Sequence, residues 1–67
     1  MTQELFWDST YAIVQALMEQ YPNLSPEDVG LAELEQLVIR LPNFVDEPAL
    51  VNERILLDIL VTWYEED

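Results

Sequence analysis

The sequence predicts an all-α domain of three short helices. Three observations carry the prediction. Apolar residues recur at helical spacing in three separate stretches, proline-containing turns separate those stretches, and none reads as a regular strand. In the first stretch Ile13, Ala16, Leu17 and Tyr21 stand at i, i+3, i+4 and i+8, and Val14 and Met18 widen the stripe. Asp8, Ser9 and Thr10 each offer a side chain able to cap its start, and Pro22 ends it near Tyr21. Trp7, just before the cap, is placed to fold back as a plug of the core.

Ser25-Pro26-Glu27-Asp28 opens a new turn, with Ser25 as cap and Pro26 at the first helical position, where its missing N–H costs nothing. Gly30, the only glycine, separates this turn from a second helix expected over residues 33–41. Leu34, Leu37, Val38 and Leu41 face inward there, and Glu33, Glu35 and Gln36 face water. Arg40 lies near the C-terminal end, where a cation is favoured. Phe44 anchors the long connection that follows. Val45 with its neighbours, or residues 29–31, are the candidates for a residual extended pair.

The third helix is expected from Pro48, in its first turn, through Glu66. Ile55, Leu56, Ile59, Leu60 and Trp63 fall at i, i+1, i+4, i+5 and i+8 and form the wall against which the other two helices pack. Asp46 and Glu47 then sit at its partly positive N-terminus. A second apolar row, Leu57, Val61 and Tyr64, leaves Asp58, Thr62, Glu65 and Glu66 as the clear polar face. In so small a domain the expected arrangement is a helix covered on two sides; the alternative is an exposed docking patch. Glu65, Glu66 and Asp67 read as a solvated tail. Three helices in 67 residues resemble the helix-turn-helix class, with a vestigial wing or none.

One domain, residues 1–67, is the most this length allows, and its core is barely sufficient alone. There is no cysteine, so neither a disulfide nor a thiolate contributes. Fourteen acidic side chains against two arginines give a net charge of −12, with no lysine and no histidine. Such a surface repels nucleic acid and anionic membranes, attracts cations and basic protein surfaces, and keeps a small domain monomeric. The N-terminal residues lack the basic and long apolar runs of a signal peptide, and no run spans a membrane, so a cytoplasmic location is expected.

An enzyme is not expected. Without histidine, cysteine or lysine there is no ready base near neutral pH and no amine for an imine. A single glycine makes no phosphate-cradling loop, no Asp-x-Asp-x-Asp-Gly calcium loop occurs, and Asp8-Ser9-Thr10 lies too near the start for an acyl-carrier attachment serine. Asp46, Glu47 and Glu53 are the candidate ligands for a hard cation held weakly through oxygen. The bland alternative is a helix start decorated with acids. Asp46, Glu47 and Glu53, together with Leu57, Val61 and Tyr64, are the candidate partner-binding residues.

These residues also carry a resemblance. Trp7 is followed by Ile13, Ala16-Leu17, Tyr21-Pro22, Leu24, Pro26 and Val29, then by Leu41, Phe44, Asp46 and Pro48, then by Asn52-Glu53, Ile55-Leu56, Ile59-Leu60, Trp63 and Glu66. In this order and spacing they resemble the IscX family, small acidic proteins of bacterial iron–sulfur cluster assembly. The family tends to read Arg-Phe-Thr-Asp-Leu where this chain has Gly30-Leu31-Ala32-Glu33-Leu34, and a helix-two tryptophan is Leu37 here. The resemblance implies a modified winged-helix fold that does not bind DNA. It also implies binding to the cysteine desulfurase of the pathway, and weak iron binding through surface carboxylates. The rival from another class is an acidic DNA-mimic or transcription-associated helix-turn-helix module, which would need carboxylates spaced like phosphates.

Overall fold

The first apolar stripe folds as α1, Thr10–Gln20, and turns Ile13, Val14 and Leu17 inward. The computed structural model describes residues 4–66, so Asp67 of the expected tail lies outside the described residues. Ser9 occupies the cap position of α1, but its hydroxyl makes no cap hydrogen bond. The helix closes at Tyr21, whose N–H donates to the Leu17 carbonyl at 2.8 Å.

Ser25 and Pro26 behave as their chemistry requires. Pro26–Asp28 is a single 3-10 turn, and Ser25 Oγ accepts the Glu27 N–H at 3.3 Å. The second helix, α2, covers Leu31–Ile39 and so begins and ends two residues earlier than the apolar spacing suggests. Its cap is Gly30, with φ −81° and ψ 167°, an extended conformation open to any residue. Apart from its chain neighbours, a Cβ there would meet no atom within 4 Å. Gly30→Ser should therefore stabilise the domain by roughly 0.5 kcal/mol, through a cap acceptor and a less flexible unfolded chain. Chemical denaturation checks this, and a loss of stability would show that the position needs glycine. Leu34 and Val38 are buried, Leu41 is buried just past the helix, and Leu37 and Glu35 are half-buried. Glu35 does not stand fully in water as its place on the wheel suggests.

The third helix, α3, spans Glu53–Glu66 and starts later than Pro48. Pro48 opens a separate 3-10 turn, Pro48–Leu50, and the chain then extends through Val51. The cap of α3 is Asn52, whose Oδ1 accepts the Ile55 N–H at 2.9 Å. Asparagine is among the strongest cap residues, and it outcompetes a start near Pro48. Glu53, not Asp46 or Glu47, is the acid in the first turn of α3.

Both α1 and α2 pack on α3, so α3 is the shared wall. Leu56, Ile59 and Trp63 are buried on it, with Ile55 and Leu60 half-buried at the edges of the stripe. The three helices and an N-terminal arm, through Leu5 and Trp7, contribute to one apolar cluster. The arm is tied down by an isolated parallel bridge between Leu5 and Phe44. Leu5 N–H donates to the Asn43 carbonyl at 2.9 Å, and Val45 N–H donates to the Leu5 carbonyl at 3.0 Å. The extended pair thus forms beside Val45, with the N-terminal arm and not with residues 29–31. Among the described residues the fold is all-α apart from this bridge, with no hairpin wing.

Candidate functional site

The solvent face of α3 is unusual for its apolar content. At 3.6 residues per turn, Val61 lies near the middle of that face. Leu57 and Tyr64 flank it on one side, and Arg54, Asp58 and Glu65 on the other. Leu57 is 42% exposed, Val61 54% and Tyr64 49%. The expected cover on two sides is therefore absent. Helices α1 and α2 both pack on α3, whose buried residues are Leu56, Ile59 and Trp63. The row stands in water among exposed carboxylates, a combination that attracts a basic surface at range and rewards an apolar recess at contact.

The three candidate cation ligands are not brought together. Asp46 sits in the loop before the Pro48 turn and is half-buried. Its Oδ2 accepts the Trp7 backbone N–H at 3.0 Å, and its Oδ1 accepts the Glu47 N–H at 2.7 Å. Trp7 completes the latch from its own ring: Nε1–H donates to the Glu47 carbonyl at 2.8 Å. The indole also meets the Phe44 ring edge-on, with centroids 4.8 Å apart and planes at 68°. Phe44 is thus the anchor of the connection, as its position suggested, and Asp46 holds the arm to it. Glu47 and Glu53 are exposed, on either side of the Pro48–Leu50 turn. Among the described residues no three acidic side chains form a group able to hold a metal ion.

All acids among the described residues except Glu35 and Asp46 are exposed, so the negative field covers the molecule broadly. Local sequence reading missed two features. The Asp46–Trp7 bond joins positions 39 residues apart, and no pattern along the chain signals it. A groove between α1 and residues 41–43 is also invisible in the sequence, because its two walls come from distant segments.

Comparison with known proteins places this geometry in context. The family model described as iron–sulphur cluster assembly matches residues 5–67. An uncharacterized protein of Pseudomonas aeruginosa is 34% identical over 62 residues, which is 92% of this chain and 94% of that relative. Among the described residues no helix is long and apolar enough to cross a membrane.

Proposed function

The chain belongs to the iron–sulphur cluster assembly family, and from that membership we propose that it is a non-catalytic acidic adaptor that docks on a basic surface of the pathway's cysteine desulfurase. The observation that carries the reading is the exposed row Leu57, Val61 and Tyr64, set among carboxylates on a chain of net charge −12. Carboxylates steer the encounter, and the apolar row holds the complex once formed. In this reading the protein acts in the cytoplasm as a monomer, because copies of like charge repel. Its three helices descend from a winged-helix arrangement without the wing. Family membership supports this reading over the DNA-mimic alternative.

Iron enters the proposal only as loosely held cargo. The structure does not offer a fitting resident centre: the three candidate carboxylates are not grouped, and each Asp46 oxygen already accepts an N–H. A ferrous iron titration should therefore be shallow, and shallower in the Glu47→Gln, Glu53→Gln double variant. An unchanged curve in that variant would assign the contact to other carboxylates.

Binding kinetics against the desulfurase test the adaptor reading. Association should slow steeply between low and physiological salt, where the screening length falls to about 8 Å. Glu47→Lys with Glu53→Lys should remove part of that dependence and leave helicity intact, since both side chains are exposed. Asp46 is left unchanged in this test because its carboxylate holds the arm. Replacing Leu57, Val61 and Tyr64 by serine should act mainly on dissociation, with each well-seated side chain worth about 1–2 kcal/mol, or roughly tenfold in rate. Salt-independent association would sink the steering mechanism, and an undiminished complex in the triple serine variant would move the interface off α3.

A further inference from the structure

A second surface lies on the other exposed side of α1. An open groove of about 830 Å³ runs between α1 and the Leu41-Pro42-Asn43 segment, and no residue of α3 lines it. Its walls include Asp8, Tyr11, Gln15 and Glu19, and no lysine or arginine lines it. Ala12, Ala16, Leu41 and Pro42 give it an apolar lining between the two carboxylates. Asp8 precedes the first turn of α1 and Glu19 sits in the last. At 1.5 Å rise per residue Thr10 and Glu19 lie about 14 Å apart along α1, with Asp8 just before that span. The Ser9 side chain makes no cap bond, so the first-turn N–H groups of α1 receive no acceptor from their cap.

We propose that this groove receives an extended basic segment of a protein partner, with two arginine or lysine side chains about four positions apart and an apolar residue midway between them. Each part of the lining selects for one part of such a segment. The terminal carboxylates pair with the two cations, which an extended strand at about 3.3 Å per residue spaces by the required distance. Backbone carbonyls of the segment offer acceptors to the first turn of α1. The exposed Tyr11 ring offers a face to a guanidinium. The apolar residue midway between the cations, which an extended strand turns to their side, covers the alanines and Leu41. A second copy of the chain is a poor occupant, because each carries −12. The inference does not depend on the desulfurase reading, which uses the opposite resource, the α3 row.

The test is an amide-shift titration of the full ¹⁵N-labelled chain with the blocked peptide Arg-Ser-Leu-Ser-Arg, beside its Glu-Ser-Leu-Ser-Glu counterpart. The arginine peptide should shift the amides of Tyr11, Gln15, Glu19 and Asn43 and leave residues 57–64 in place. Asp8→Asn with Glu19→Gln should weaken it about fivefold, the sum of two exposed ion pairs. Both side chains are exposed, so the variant should keep its fold, which its own amide spectrum verifies. Leu57→Ser should leave the affinity unchanged. Shifts concentrated on α3, equal binding of the glutamate peptide, or an unaltered affinity in the double variant would each overturn the proposal.

Discussion

Trp63→Ala should destabilise the domain by about 3–5 kcal/mol and leave much of the population unfolded at room temperature. Trp63 is 1% exposed, on the helix that both α1 and α2 use as their wall. Removing the indole leaves a void in the one apolar cluster that the helices share. A 67-residue chain without disulfides has little stability to lose. Trp63→Phe keeps most of the volume and should cost far less, on the order of 1–2 kcal/mol. Urea denaturation followed by circular dichroism separates the two. An alanine variant that melts cooperatively near the wild-type temperature would place Trp63 outside the core and dissolve the packing described for α3.

Asp46→Ala should be the most damaging change to a charged residue, costing about 1–3 kcal/mol. The carboxylate accepts two N–H bonds, one of them from the arm that carries Leu5 and Trp7 into the core. Its loss leaves the partly buried Trp7 N–H without that acceptor and weakens the attachment of two buried side chains. For a domain of this size the melting temperature should fall by roughly 4–24 °C. Glu47→Ala supplies the contrast. Its side chain is exposed and makes no cap bond, so the change should stay within about 0.5 kcal/mol. Equal effects of the two substitutions would mean that Asp46 acts only through its charge. The distinction bears on function, since an acid whose loss loosens the fold gives a misleading binding phenotype.

Much of the architecture was legible because helical periodicity is a local property. The inward faces around Ile13 and Leu17, around Leu34 and Val38, and around Leu56, Ile59 and Trp63 follow from spacing alone. The boundaries of α2 and α3 were less legible, because several residues compete to be the cap. Pro48 permits a helix start without enforcing one, while Asn52 supplies an actual acceptor. The row Leu57, Val61 and Tyr64 shows why periodicity stops short of function. It reports that a face is apolar, but the number of elements available to cover it depends on how the other helices dock. Asp46 reads as a candidate cation ligand and docking acid until Trp7 is seen beside it.

The latch between Trp7 and residues 46–47 also imposes an order on biosynthesis. The arm is synthesised before its partners, which lie 39 and 40 residues later. At 5–20 residues per second, roughly 2–8 s of synthesis separate Trp7 from the groups that complete it. During that interval Leu5, Trp7 and the inner face of α1 have no α3 to cover them. Long-range closure of this kind comes late in folding, because the chain entropy lost in bringing the ends together is recovered only when both are present. The earlier-made segment is therefore the later one to be seated, and a nascent chain halted before Asp46 presents Leu5 and Trp7, both buried in the fold, to whatever chaperone waits at the exit.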